Sequence, residues 1–359
     1  MVSKKFLKIL SDGIQKHEII LKQVSAFLVS VFLVIGSAQA NPVLNNIGAG
    51  NITVTQTPGN TQINQTTQKG IINWNSFNIG AQEKTQFNQP SASSVTLNRI
   101  SPTQGASQIY GQLTANGKII LINQAGIYFG PGSRVDVGSI IASTSDMSDQ
   151  NFLSGNKYIF DRPSTTGGSI VNEGTIIAAN NGLVALVGTS VSNTGVIQAN
   201  LGQVVLASGN KFTVDMTGDG LINFSVDEAA SDTGNHPKTG EKLSSRVNNS
   251  GSIIANGGKV LLTAQAAKGI VDNVVNMDGV IEARSVSQKN GEIILAGGPE
   301  GVVKVSGRLD ASGRNAGEKG GTVKVLGERI QVEAPAVIDV SGDKGGGDVM
   351  VGGNFHGAG

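Results

Sequence analysis

Four carboxylates, Asp215, Asp219, Asp227 and Glu228, fall close together in the chain and are the residue type that a polysaccharide lyase or hydrolase uses as acid and base. That chemistry needs carboxylates or basic residues converging on one face. Here they flank Gly218-Asp219-Gly220, a turn signal, so a solvated hairpin and loop account for them. Residues 342–348 are glycine-rich and carry Asp343 and Asp348, but they do not keep the spacing of calcium-binding glycine-rich repeats, and turn chemistry explains them better. Of the 3 histidines, His17 lies near the amino terminus, while His236 and His356 stand far apart, which makes no zinc constellation. The sequence therefore gives no catalytic, cofactor-binding or metal-ligating residue, and the chain reads as a non-enzymatic protein without a cofactor.

A different kind of signal lies in residues 111–130, GQLTANGKIILINQAGIYFG. They hold one full unit of a repeat: Gly-x-aliphatic-x-Ala/Asn-x-Gly, a basic or polar residue, then an apolar strand. Directly after it stands Asn123-Gln124-Ala125-Gly126-Ile127, a turn that the later copies lack.

The repeat itself dictates the architecture. Asn172-Glu173-Gly174-Thr175-Ile176-Ile177-Ala178 returns as Asn193-Thr194-Gly195-Val196-Ile197-Gln198-Ala199 and as Asn249-Ser250-Gly251-Ser252-Ile253-Ile254-Ala255. Weaker copies centre on Gly279, Gly307 and Ala336, and each is followed by a turn and a second strand, at 183–187, 204–207, 260–263, 293–296, 323–326 and 349–351. Units of roughly twenty to thirty residues with short strands, turn glycines and a recurrent Asn two places before Gly predict a parallel β-helix. Inward aliphatics would then form columns, and equivalent asparagines an amide ladder. One coil buries too few aliphatics to offset its chain entropy, so stacking is obligatory. No long stretch beyond residue 41 has a 3.6-residue apolar period, which excludes a helical bundle.

Composition agrees with that architecture. Glycine is abundant at 50 residues, aromatics make up only 4%, and charged residues 15%. With 27 basic against 26 acidic residues, the near-neutral chain lacks the electrostatic footprint of a nucleic-acid partner. Residues 1–40 read as a signal peptide with an extended basic segment (Lys4, Lys5, Lys8, Lys16, Lys22), an apolar run at 24–35 and the small-x-small pattern Ala38-Gln39-Ala40, with cleavage before Asn41. The apolar run is shorter than the ~20 residues a helix needs to cross a bilayer. A chain with 0 cysteines cannot be cross-linked in an oxidising periplasm, which suits a protein that stays unfolded until it leaves the cell.

Residues 41–359 then form the exported domain. Within it, 41–69 is expected as an amino-terminal β cap of two facing strands, 208–245 as a hairpin and loop insertion, and 246–359 as further coils. Trp74, the single tryptophan, stands beside Phe77 as a core or cap anchor, and a short helical turn is expected around 149–153. The chain stops just after a strand without an amphipathic cover, which reads as the amino-terminal piece of a longer protein.

Several motifs in order carry a resemblance: Ile72-Asn73-Trp74-x-x-Phe77, Phe87-x-Gln89-Pro90, Leu97-Asn98-Arg99-Ile100, Ile109-x-Gly111-x-Leu113-x-Ala115-Asn116-Gly117 and Gly138-x-Ile140-x-Ala142-Ser143-Thr144. They resemble the N-terminal two-partner secretion (haemagglutination-activity) domain of filamentous haemagglutinin-like exoproteins and adhesins, over essentially the whole mature chain. The resemblance implies an all-β, right-handed parallel β-helix (solenoid) that directs an unfolded exoprotein to a dedicated outer-membrane transporter and folds outside a Gram-negative cell. The family's Asn-Pro-Asn-Gly-Ile motif corresponds to Asn123, Gln124, Ala125, Gly126 and Ile127, with Gln124 and Ala125 departing from it. Together with Asn98 and Arg99, these are the candidate transporter-recognition residues. A host-cell receptor or glycan stays open as a further partner, and a β-helical polysaccharide-acting enzyme or a direct glycan-binding module as the alternative functions.

Overall fold

In the computed structural model the described residues are 40–155, 157–215, 223–230, 233–264, 273–298 and 301–352. Residues 1–39 of the expected signal peptide, the turn at 218–220 with Asp219, and the last residues with His356 lie outside them.

The chain winds through three long sheets, two of 11 strands and one of 8. Most coils contribute one short strand to each sheet. Gln112–Ala115, Lys118–Asn123 and Ile127–Phe129 make one such coil, and Arg134–Val137 begins the next, parallel to Gln112–Ala115. Register is kept because a one-residue slip would turn every aliphatic from the core to the surface. Ile119 pairs with Ile140, Ile140 with Val184, Val184 with Val204, Val204 with Val260 and Val260 with Ile293, a continuous inner column. At the amino-terminal end the direction reverses. Val43–Ala49 runs antiparallel to Lys69–Ser76, and Ile52–Thr57 forms a hairpin with Asn60–Gln65, so the first coil meets antiparallel strands rather than an open edge.

The asparagine ladder forms as the repeat implies. Asn172 Nδ2 donates to Asn193 Oδ1 at 2.7 Å, Asn193 Nδ2 to Asn249 Oδ1 at 2.7 Å, and Asn249 Nδ2 ends the series on the Met277 thioether at 3.3 Å. All three asparagines are buried. An Asn193→Ala chain would leave a donor on Asn172 and an acceptor on Asn249 without partners in the core, at a cost of about 2–4 kcal/mol. Asn249→Ala, facing only a weak sulfur acceptor on one side, should cost less. Urea unfolding of the two variants measures the difference, and equal midpoints would contradict the ladder.

A second core lies outside the coils. Two excursions leave the path between the 11-strand sheet that contains Lys118–Asn123 and the 8-strand sheet. The first holds the helix Asp149–Ser154 and the strand Lys157–Phe160; the second holds Lys211–Asp215 and Asn223–Glu228. Their strands form one antiparallel three-stranded sheet. Phe152, Tyr158, Phe160, Phe212 and Val214 cover Leu97, Ile120, Ile122, Ala185, Val187 and Val205 on the outer face of the long sheet. Phe160 and Phe212 stack with centroids 4.1 Å apart. This explains why Leu183–Gly188 and Gln203–Ser208 are buried at every position, whereas Lys259–Ala264, past the cover, alternates.

Near the other end, Asp310 is fully buried, with Arg284 Nε at 2.9 Å, Arg308 Nη2 at 3.1 Å and Arg314 Nη2 at 2.7 Å from Oδ2. Burial opposes its ionisation. The Ser312 hydroxyl and amide, with the Arg284 and Arg308 guanidiniums, outweigh burial and hold the carboxyl well below the usual carboxylate range. A folded-state value depressed in this way stabilises the protein above the unfolded value of ~3.9, and that stabilisation is lost as pH falls below it. Acid unfolding between about pH 4 and 2 should therefore be shallower in Asp310→Asn than in the unsubstituted chain. Parallel acid limbs would show that the cluster does not act this way.

Candidate transporter-recognition site

Asn123 ends the strand Lys118–Asn123, and its side chain organises the turn that follows. Ala125 N donates to Asn123 Oδ1 at 2.9 Å, Gly126 N to Asn123 O at 3.0 Å, and Asn123 Nδ2 donates to Gly105 O at 3.1 Å and Ser107 Oγ at 3.0 Å. One acceptor and two donors are thus all used, which suits the short amide of Asn. Gly126 has φ +116°, a conformation that side chains disfavour, and a Cβ there would lie 2.8 Å from Ser169 O. Ile127 is fully buried in the inner core.

The positions that depart from the family spelling are held differently. Gln124 and Ala125 are half-buried. Gln124 O accepts from Ser164 Oγ and Thr166 Oγ1, both at 2.6 Å, and Gln124 Nε2 donates to Pro163 O at 3.1 Å. A Pro-Asn pair would stiffen this turn from within. Here neighbouring residues hold it from outside.

Asn98 and Arg99 lie on the preceding coil, where Asn98 pairs in register with Leu121 and Ile100 with Asn123. Their side chains leave the strand on opposite faces. Asn98, fully buried, accepts from Trp74 Nε1 at 3.0 Å and donates to Thr96 O and Ile120 O at 3.3 Å each. Trp74 is buried and meets Phe77 edge-on at 5.4 Å. Arg99 points outward, 3.0 Å from Asp146 and 2.8 Å from Asp149, and donates to Met147 O at 3.0 Å, so it ties down the first excursion. Arg99 and Gln124 share a cleft of about 370 Å³ with Asn46, Asn73 and Asp146. The fold thus gathers all seven candidates onto two adjacent coils. The partners Ser107, Asp146, Ser164 and Thr166 have no repeat or motif of their own in the sequence, and only their polarity marks them.

Of the carboxylates considered for catalysis, Asp227 and Glu228 sit elsewhere. Asp227 accepts from Thr213 Oγ1 at 2.7 Å and Ser225 Oγ at 2.8 Å, and Glu228 pairs with Lys211 at 2.7 Å on the exposed edge of the outer sheet.

Comparison with known proteins decides the family. The model of the TPS secretion domain matches residues 38–318. The chain belongs to the TPS secretion domain family. It is 32% identical over 268 residues to a heme/hemopexin-binding protein of Haemophilus influenzae, covering 72% of this chain and 28% of that relative. A second heme/hemopexin-binding protein from the same species is 29% identical over 270 residues. The chain therefore spans less than a third of the curated relatives it matches. The secretion domain of HMW1 from H. influenzae superposes with a TM-score of 0.72 at 30% identity, covering 88% of this chain and 78% of that one. The filamentous haemagglutinin secretion domain shares the fold, with a TM-score of 0.53 at 14% identity over 87% of this chain and all of its own length. The described chain is thus a right-handed parallel β-helix and a TPS secretion domain. TPS secretion domains engage an outer-membrane transporter, and the proteins that carry them cross the outer membrane to the cell surface or the medium.

Proposed function

We propose that the transporter's periplasmic domains capture this TPS secretion domain as an unfolded chain, through residues 98–127, with Asn98, Arg99, Asn123, Gln124, Ala125, Gly126 and Ile127 as the recognised side chains. The observation that carries this reading is burial. Asn98, Asn123 and Ile127 each have 0% exposure in the folded coils, so a partner that reads them must do so before the coils close. Capture by β-augmentation suits the segment: its backbone is extended over Val95–Ile100 and Lys118–Asn123, and main-chain pairing needs only an open strand edge.

Residues 1–40 would first take the chain to the periplasm as a cleaved signal peptide. Outside the cell, each added coil buries fresh apolar surface on the last, which favours onward movement over back-sliding. The role is one of recognition and folding nucleation, with no catalytic step. Binding of a host-cell receptor or glycan belongs to the full-length exoprotein in this reading. Deleting residues 98–127 should abolish export while synthesis continues at its usual level. Unimpaired export of the deletion chain would refute capture through this segment.

A further inference from the structure

The groups that hydrogen-bond to Gln124 and the proline that lies over Gly126 come from later in the chain. The first strap is residues 162–168. Ser164 and Thr166 both donate to Gln124 O at 2.6 Å, Gln124 donates back to Pro163 O across 39 residues of sequence, and Gly168 packs so closely that a Cβ would lie 2.4 Å from Gln124 O.

The second strap is a compact loop, residues 234–243, closed on itself by His236 N to Glu241 O at 2.7 Å and Leu243 N to Gly234 O at 3.0 Å. It crosses the outer face of the 8-strand sheet. Pro237 lies on Gly126, its Cβ 3.2 Å from where a Gly126 Cβ would be, and Gln108 Nε2 donates to Pro237 O at 3.1 Å across 129 residues of sequence. Lys238 Nζ stands 5.5 Å from the ring centroids of both Tyr110 and Tyr128. The His236 ring packs on Tyr128 at 5.3 Å, and Nε2 lies 3.7 Å from Glu173, which also accepts the Tyr128 hydroxyl. These contacts are individually weak and lie at the surface. Their removal leaves the inner columns of the β-helix untouched.

We infer that the two straps complete the end of recognition: the closing coils bury Asn98, Asn123 and Ile127, and the straps then cover what is left at the turn, Gln124, Ala125 and Gly126, so the folded domain no longer presents its recognition segment to the transporter. The inference rests on the reading of residues 98–127 as the captured segment. A chain that emerges with its amino terminus leading keeps the turn open until residues 234–243 have followed, and their closure then opposes recapture.

The test uses the purified domain and the purified cognate transporter. Three species are compared for binding: chain freshly diluted from urea, the folded domain, and a folded variant carrying Ser164→Ala, Thr166→Ala, Pro237→Gly and Lys238→Ala, with its β-helix checked by circular dichroism. The diluted chain should bind, the folded domain at least about tenfold more weakly, and the variant, with Gln124 and Ala125 uncovered while Asn98, Asn123 and Ile127 stay buried, should recover part of that loss. A second variant with only Ser164→Ala and Thr166→Ala should recover a smaller part of it, and it serves if the fourfold change disturbs folding. Variants that bind as weakly as the folded domain, while the diluted chain binds, would overturn the straps and leave the capture reading standing. Equal binding by the folded domain and the diluted chain would likewise overturn them. A diluted chain that fails to bind would remove the capture reading and the straps together.

Discussion

Gly251→Ala should destabilise the domain by more than ~3 kcal/mol, although it adds a single methyl group. Gly174, Gly195, Gly251, Gly279 and Gly307 stack one above another where each coil turns from the 8-strand sheet into the next strand. A Cβ on Gly251 would lie 2.2 Å from Gly195 O and 2.6 Å from Thr194 C, both backbone atoms of the coil before it. The methyl group can enter only if two coils move apart. That movement stretches Gly251 N to Asn193 O at 3.0 Å, Ser252 N to Gly195 O at 2.9 Å and the Asn193–Asn249 ladder bond together. Gly346→Ala is the matched control. Its nearest neighbour would be 3.7 Å away and its φ is not in the left-handed region, so its effect should stay within ~0.5 kcal/mol. Urea unfolding followed by far-ultraviolet circular dichroism separates the two variants, and coincident midpoints would mean that close stacking of the coils does not hold this domain together.

The same glycines show what the sequence made legible. The Asn-x-Gly spacing carries two signals at once, the inward amide of Asn172, Asn193 and Asn249 and the absent side chain at Gly174, Gly195 and Gly251. Both are local and repeat with each coil, so the β-helix could be read from them. The short helical turn expected around 149–153 is the helix Asp149–Ser154, which Ser148 caps by accepting from Asn151 N. The pairing of the two excursions was not legible. Lys157–Phe160 and Lys211–Asp215 meet across fifty-odd residues of sequence in an antiparallel ladder, and neither segment carries a repeat that points to the other. The unbroken apolar run Leu183–Gly188 held a hint, since a strand with one wet face should alternate.

The candidate site divides in a similar way. Asn123, Gly126 and Ile127 could be singled out because they match the family's motif and stand in a turn that the later copies of the repeat lack. The burial of Asn98 against Trp74 could not be foreseen, because it depends on the register between coils. Nor could the closure of Gln124 by Ser164 and Thr166, where common polar residues act through position alone. That burial is what turns a motif into a mechanism. Side chains that are inaccessible in the folded coils are available only to a partner that meets the chain before it folds.

The most direct measurement follows the full chain by immunoblot in periplasm, cell surface and medium, in cells with and without the cognate outer-membrane transporter. Capture of an unfolded segment leaves no other route across the outer membrane. The extracellular and surface protein should therefore disappear when the transporter is removed, and the chain should be left in the periplasm, where it is open to proteolysis. Undiminished extracellular protein in cells without the transporter would contradict transporter capture of this chain.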